Sequence, residues 1–365
     1  MSKVSTYLPR PPVKALFVSY SMMSLDPERP SFIGVLKRCL RLITNIPHDF
    51  VEIHMLNLGP LPQEDQLLKS LRNRIQFHNA EFSCDKNSFQ KLIASVAPEV
   101  IVLGEGPGEG AALELSLAAC KLGIPQVCIE NYYGPDTEIR FKKERPWLRK
   151  WLLLGLPIHK DFGPISDYAV LTPPLLTPFN EPGETKQDIT ILGYDVNVAD
   201  LGVELLTKLP IDISAHIIFS SVIKSKIPDY RKKLGGRKIS FGPLPSEAQL
   251  KTLLKASKIV ICKSGFQQMV ECLALQTPFV AFDAPGGVSE IFMDYVGIRK
   301  YAGYFPKNDG NWSSLLLRVA CWLMEKPHMP WKADVERIID PPAHAAQLLV
   351  EMIYDVRGTK SDTTA

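Results

Sequence analysis

A serine–glycine pair, Ser264 and Gly265, stands between the β-branched run KIVIC and the periodic stretch FQQMVECLALQ, which carries Glu271. Residues of those types in that order suit one kind of chemistry. A helix that starts at such a turn presents N–H groups with no partner inside the helix, together with the positive end of its dipole, and both favour a phosphate. Glu271, about one turn further in, can accept two hydroxyl hydrogen bonds of the kind a ribose offers. A phosphate at a helix tip with a diol beside it describes a nucleotide sugar. The plainer reading keeps Gly265 as a strand-to-helix turn and Glu271 as a salt-bridged helix residue.

A second glycine-rich turn, GEGPGEG from Gly104 to Gly110, follows the apolar run EVIVLG and precedes the helical stretch ALELSLAACKLG. It therefore sits at the C-terminal end of a strand, where open α/β sheets bind ligands. Gly106, Gly108 and Ala111 fit the G-x-G-x-x-A spacing of a dinucleotide site, with Glu130 at the end of the next strand. Glu105 and Glu109 oppose that reading, because carboxylates repel a pyrophosphate strongly in a partly dry site. Glu105, Gly108 and Glu109 are instead expected to position an acceptor hydroxyl, or to form a solvated acidic turn whose glycines serve backbone geometry.

What must hold these turns is a parallel sheet. ALFVSY predicts a first strand and residues 32–43 a first helix; FVEIHML, EVIVLG and PQVCIEN predict further strands, with helices in LLKSLRNRI, SFQKLIASV and ALELSLAACKLG. Strands alternating with helices predict a sheet covered on both faces. The run SDYAVLTPPLLTPFNEPGETKQDI is broken by Pro173, Pro174, Pro178 and Pro182 and marks a junction. Beyond it, DITILGYD, VADLGVELLTKL, AHIIFSSV, KISFG, EAQLKTLLKA, KIVIC and FVAFD repeat the alternation. The expected division is a flexible N-terminus over 1–12, a Rossmann-like domain over 13–171, a Pro-rich linker over 172–187, a second Rossmann-like domain over 188–340, a terminal helix over 341–356 and a disordered tail over 357–365.

From Gly236 to Asp283, the string GRKISFGPLPSEAQLKTLLKASKIVICKSGFQQMVECLALQTPFVAFD resembles the donor-binding domain of GT-B glycosyltransferases, especially the branch that transfers GlcNAc in peptidoglycan synthesis. The resemblance implies an α/β, GT-B architecture: two Rossmann-like α/β/α domains facing each other across a cleft, with the terminal helix crossing back to the first. It also implies roles. Gly242 and Leu244 would lie near the base, Ser264, Gly265, Gln267 and Gln268 near the diphosphate, and Glu271 on the ribose, while Ser289 and Glu290 of DAPGGVSE would meet the sugar hydroxyls.

Inverting transfer needs a base to take the acceptor proton and an electrophilic environment for the departing nucleoside diphosphate. The peptidoglycan branch has a glycine-rich first loop ending in His; here the loop reads YSMMSLDPERPSF, with no His. Asp26 is the substitute by position, with Glu109 and Asp136 as competitors, although Asp26 before Pro27 also suits a plain turn. Retaining transfer needs no His, so these residues are compatible with either stereochemistry. His48, His54 and His78 fall in or beside apolar segments and are expected to be structural.

The stretch EIRFKKERPWLRKWLLLGLP, residues 138–157, concentrates basic and aromatic side chains. The family's membrane-docking patch makes it a candidate for peripheral membrane contact; the alternative is an amphipathic helix whose tryptophans enter the core. A net charge of +3 over 365 residues, with no recognisable binding module, argues against nucleic acid as a partner. The cysteines, Cys39, Cys84, Cys120, Cys128, Cys262, Cys272 and Cys321, are odd in number and lack C-x-x-C spacing. They read as thiols of a reducing compartment, and neither a metal nor a bound cofactor is expected. With no apolar leader and no run of about 18 apolar residues, the expected location is the cytoplasm, with membrane association at its cytoplasmic face.

The predicted function is transfer of a sugar from a nucleotide sugar, UDP-linked first among the choices, to a hydroxyl acceptor that is lipid-linked or a small metabolite. The alternatives are a GT-B-shaped binding or scaffold subunit that lacks the base, and a sugar-nucleotide epimerase built on the same double domain.

Overall fold

A computed structural model describes residues 11–20, 34–59, 61, 66–80, 84–107, 110–131, 147–154, 168–172, 175, 187–243, 245, 247–263, 265–282, 302–305, 312–325 and 342–357. The chain divides into two compact units, one of Met1–Met23, Phe32–Leu175 and Asp340–Ala365, the other of Ser24–Ser31 and Leu176–Ile339.

In the first unit, Val13–Tyr20 (β1), Val51–Leu58 (β2), Gln76–Ala80 (β3), Val100–Leu103 (β4), Gln126–Asn131 (β5), Lys150–Leu154 (β6) and Ala169–Thr172 (β7) form a seven-stranded sheet in the order β3-β2-β1-β4-β5-β6-β7. Each pairing is parallel; Leu16 lies beside His54 and Phe17 beside Val102. Helices Gly34–Thr44 (α1), Gln66–Leu71 (α2), Lys86–Val96 (α3) and Ala111–Lys121 (α4) connect the strands. All four residues of β4 are buried, which explains why its sequence is continuously apolar: a strand covered on both faces needs no polar alternation. One face packs Phe17, Val102, Ile129 and Leu152 against Leu36 and Leu40 of α1 and against Ala346, Leu349 and Ile353 of the terminal helix Pro342–Val356. Lys150 Nζ to Asp355 (2.7 Å) and Arg357 Nε to Glu99 (2.6 Å) tie that helix down at its end.

The second unit repeats the plan. Gln187–Gly193 (β8), Ala215–Phe219 (β9), Ile239–Pro243 (β10), Ser257–Lys263 (β11), Phe279–Phe282 (β12) and Ala302–Tyr304 (β13) make a six-stranded parallel sheet in the order β10-β9-β8-β11-β12-β13. Its helices are Val196–Lys208 (α5), Ile227–Lys233 (α6), Glu247–Lys255 (α7), Phe266–Ala274 (α8) and Ser313–Met324 (α9). Ile189, Ile191, Ile217, Ile259 and Ile261 form its core with Val198, Val203 and Leu206 of α5 and Val319 of α9. In both sheets the strand order reverses beside the unit's first strand, between β1 and β4 and between β8 and β11. A crevice for a ligand belongs at the C-terminal ends of those strands.

The structure departs from the sequence reading at several elements. The amphipathic helix expected within 138–157 is replaced over Lys150–Leu154 by β6, where Trp151 is fully buried and pairs with Cys128 and Ala169. Consecutive apolar residues suit a strand buried on both faces as well as a helix side, and Leu152–Leu154 present nothing to a lipid surface. Residues 138–146 lie outside the described residues. β7 falls inside the proline-rich stretch, and β3, at the sheet edge with no fully buried residue, has too little apolar alternation to be read as a strand. Among the described residues no helix is long and apolar enough to cross a membrane, and no group of three or more His, Cys, Asp or Glu is placed to hold a metal.

Candidate functional site

At the reversal point of the second unit, β8 ends at Gly193 and the chain continues through Tyr194 and Asp195 into α5, while β11 ends at Lys263 and the chain turns at Gly265 into α8. Asp195 is the N-cap of α5: its backbone is extended and its Oδ1 accepts the Asn197 N–H at 2.9 Å. Its Oδ2 lies 3.4 Å from Lys263 Nζ. Gly265 is the N-cap of α8 and donates its N–H to Lys263 O at 2.7 Å. A Cβ at Gly265 would collide with Gln268 Oε1, so a side chain there would displace the amide that folds back over the turn. With glycine as the cap and no acidic residue in the first turn, the helix brings its dipole end to this corner without a covering carboxylate of its own.

Glu271 follows on the same helix, nearly buried, with Gln267 Nε2 donating to its Oε1 at 2.9 Å. The hydroxyl of Tyr194 is buried and has no hydrogen-bond partner among the described residues. Its pKa is pushed above the ordinary range, first by burial and then by the neighbouring charges of Glu271 and Cys262. An unpaired buried hydroxyl is costly, and this one sits within the electrostatic reach of the carboxylate expected to hold a diol.

Gly242 lies on the edge strand β10, with β9 and β8 between it and β11. A Cβ there would come within 2.9 Å of the His216 ring, whose Nδ1 is 2.7 Å from Ser240 Oγ. Burial lowers the pKa of His216 and favours its neutral form. The structure thus brings Gly265, Gln267, Gln268 and Glu271 together and sets Gly242 apart from them on the same sheet. Leu244, Ser264, Ser289 and Glu290 lie outside the described residues, as does the side chain of Phe266.

The first unit's reversal point is organised differently. The Tyr20 hydroxyl, at the end of β1, donates to Glu105 Oε2 just beyond β4. Burial, and then Glu105, push the Tyr20 pKa above its ordinary range, so the phenol stays a donor. Arg38 Nη1 of α1 donates to Gly104 O at 2.8 Å and to Ile129 O at 3.2 Å. Glu130, buried at the end of β5, accepts the N–H of Gly106 at 2.9 Å and of Asn131 at 3.1 Å. That removes the Gly106 amide from any pyrophosphate and weakens the dinucleotide alternative. Gly104 is required by close approach: a Cβ would lie 2.5 Å from Cys39 Sγ, 2.7 Å from Val35 Cγ1 and 3.0 Å from Val18 O. Burial pushes the Cys39 thiol up to about 12. Of the acceptor-side and catalytic candidates, Glu105 alone is placed; Asp26, Gly108, Glu109 and Asp136 lie outside the described residues.

His48, His54 and His78 of the first unit are engaged locally. His54, buried on β2, contacts Glu52 Oε1 through Nε2 (2.9 Å) and His78 Nε2 through Nδ1 (3.1 Å), and His48 accepts from Arg74. Sequence reasoning missed Tyr194 and Asp195 as neighbours of the α8 turn. The Asp before VNVAD is a readable N-cap signal, but its proximity to Lys263 depends on β8 and β11 being adjacent.

No protein-family signature and no curated protein sequence matches the chain. Solved structures do. The chain is similar to MurG of Acinetobacter baumannii (13% identity, TM-score 0.61, covering 94% of this chain and 99% of that one). It is also similar to a UDP-glucosyltransferase from Polygonum tinctorium capable of glucosylating indoxyl (12%, TM-score 0.64, 94% and 99%), and to a UDP-GlcNAc 2-epimerase from Neisseria meningitidis bound to UDP-GlcNAc (14%, TM-score 0.57, 94% and 100%). These likenesses span both units and show a GT-B fold resembling that of MurG.

Proposed function

We propose that the chain is a glycosyltransferase that moves a sugar from a nucleotide sugar, UDP-linked first among the choices, to a hydroxyl acceptor. The second unit takes the donor and the first unit takes the acceptor. The observation that carries this reading is the corner at Gly265: a glycine-capped helix start beside the strand reversal, with the buried Glu271 carboxylate on the same helix and, in its field, a Tyr194 hydroxyl that has no hydrogen-bond partner among the described residues. A phosphate suits the helix start, a ribose diol suits Glu271, and a ligand oxygen would satisfy Tyr194. Ser264, Gln267 and Gln268 are assigned to the phosphate and Gly242, with Leu244, to the base; Ser289 and Glu290 are assigned to the sugar. On the acceptor side, Glu105, Gly108 and Asp136 position the hydroxyl, and Asp26 or Glu109 takes its proton. The reaction is placed at the cytoplasmic face of a membrane, with Arg140, Lys142, Lys143 and Arg145 as the anionic-lipid contact.

Similarity to solved 2-epimerases favours a second reading, epimerisation of the sugar on the nucleotide. The scaffold alternative draws on the loop without His and on Glu105 being already bonded to Tyr20. A thermal-shift panel of UDP, GDP, dTDP and NAD tests the reading, since a ligand that binds the folded state raises its melting temperature. Stabilisation by UDP or dTDP is expected; NAD alone would overturn it, and no response would favour the scaffold. Incubation with UDP-sugars then separates transfer or hydrolysis from epimer formation.

A further inference from the structure

We propose that the foot of the second unit is a docking surface for an anionic lipid bilayer, with Lys232, Lys233 and Lys238 on the headgroups and Ile211 in the apolar boundary beneath them. Residues 224–238, KSKIPDYRKKLGGRK, hold seven lysines and arginines against one acid, Asp229, whereas the whole chain has a formal charge of only +3. The remainder is therefore net negative, and the excess positive charge is gathered on one short stretch. Such a stretch draws a protein to an anionic surface over a range set by the Debye length.

Pairing sorts these cations. Lys226 is engaged by Asp200 at 2.8 Å, and the same carboxylate accepts from the Tyr230 hydroxyl at 2.7 Å, which ties α6 to α5. Arg231 lies over the Phe241 ring, 5.4 Å from its centroid. Arg237 donates to Pro210 O at 2.7 Å and to Leu209 O at 2.8 Å, just beyond the end of α5. Lys232, Lys233 and Lys238, by contrast, are exposed and make no ion pair among the described residues. Lys238 immediately precedes β10, and its carbonyl accepts from the N–H of Ala215, the first residue of β9. The surface thus lies at the N-terminal ends of these strands, away from the C-terminal ends where a ligand crevice belongs.

Ile211 separates a bilayer from other polyanions. It is 62% exposed and stands against Gly236, which lies between Lys233 and Lys238 in the chain; a Cβ on that glycine would be 3.7 Å from Ile211 Cδ1. Arg237, bonded to the two carbonyls that precede Ile211, fixes the loop that presents it. An apolar side chain flanked by lysines suits the headgroup–acyl boundary, where lysine stems are also buried while their ammonium groups stay in water. Single-stranded nucleic acid needs aromatic platforms, but Tyr230 is buried and Phe241 carries Arg231. Asp212 and Asp229, both exposed, are the acids of this stretch and its neighbouring loop, and the cations outnumber them. The surface is separate in sequence from Arg140, Lys142, Lys143 and Arg145, and docking here does not depend on which nucleotide the protein takes.

Flotation of the full-length protein with vesicles of phosphatidylcholine carrying about one-third phosphatidylglycerol, and with vesicles of phosphatidylcholine alone, tests the proposal. The wild type is expected to float with the anionic vesicles, to ignore the neutral ones and to be released by added salt. Each lysine at such a surface contributes about five-fold to partitioning. Lys232→Ala, Lys233→Ala and Lys238→Ala combined should therefore weaken it about a hundred-fold, while the three Lys→Arg replacements keep it. Ile211→Ser should weaken it about ten-fold. The replaced side chains are exposed, so melting temperatures and their increase with UDP should match the wild type, which tells a failure of docking from a failure of the nucleotide-sugar reading. Flotation unmoved in the triple alanine variant overturns the proposal, as does a wild type that fails to float or floats equally with neutral vesicles. Loss in the triple alanine variant with Ile211→Ser unmoved, together with release of the wild type by single-stranded oligothymidine, would make this a nucleic-acid surface and overturn the bilayer.

Discussion

At the end of β4 the N–H of Gly106 meets the buried carboxylate of Glu130, and Glu105 meets the hydroxyl of Tyr20; at the end of β11 the first turn of α8 meets a glycine cap, and the Tyr194 hydroxyl at the end of β8 meets no hydrogen-bond partner among the described residues. The strand order around the two places is the same. Among the described residues, Glu105, Gly106 and Tyr20 of the first unit are thus satisfied within the protein, as buried polar groups generally are, while the second unit keeps the Tyr194 hydroxyl in reserve. Unmet polar groups at a strand reversal are costly in the empty protein and become useful when a ligand supplies the partners. Asp195 closes the start of α5 with its own carboxylate, whereas α8 starts at a glycine with no side-chain cap.

This contrast can be broken most forcefully at Gly104. Gly104→Ala drives a methyl into Cys39, Val35 and the Val18 carbonyl; overpacking of that kind is expected to cost the first unit about 3 kcal/mol, read from urea unfolding. Nucleotide affinity, which the proposed function assigns to the second unit, should not change. Next in size, Glu271→Ala should weaken nucleotide binding by about 2 kcal/mol, or about thirty-fold, through lost charged hydrogen bonds. Calorimetry that finds the affinity intact removes Glu271 from the site.

Tyr194→Phe sharpens the comparison with a smaller effect of opposite sign in the two states. Deleting an unpaired buried hydroxyl should leave the empty protein as stable or more stable by about 1 kcal/mol, while the increase in melting temperature produced by nucleotide shrinks. A destabilised empty protein would mean that the hydroxyl already serves the fold.

The smallest effect is in pH. His78 on β3 has its pKa lowered by burial and then by the charge of His54, and His216 on β9 has its pKa lowered by burial. Each imidazole takes a proton more readily unfolded than folded, so its contribution to stability is full above the unfolded value of about 6.5 and is lost as pH falls below it towards the folded value. Glu52, whose pKa is lowered chiefly by its hydrogen bond from His54, adds a loss at lower pH, below about 4.3. His78→Gln should flatten the first step for the first unit and His216→Gln for the second. A pH profile that neither variant alters would assign the step elsewhere.

The alternation of apolar runs and periodic stretches was enough to place most strands and helices, because a parallel sheet covered on both faces demands continuous apolar strands and amphipathic crossovers. It was also enough to put Gly265, Gln267, Gln268 and Glu271 on one turn-and-helix unit, since they are close along the chain. KWLLL was misread because a short apolar run looks alike in a helix side and in a buried strand, and only its pairing with β5 and β7 tells them apart. QFHNA escaped because an edge strand needs little apolar surface.

Local spacing in the sequence thus determined that this protein has two Rossmann-like units and a glycine turn into a helix at Gly265. Which carboxylates are free to meet a ligand was decided by tertiary structure alone. Glu105 reaches Tyr20 and Asp195 reaches Lys263 only because non-consecutive strands lie side by side, β1 with β4 and β8 with β11. A side chain's availability depends on partners brought near by strand order, which no single stretch of sequence records.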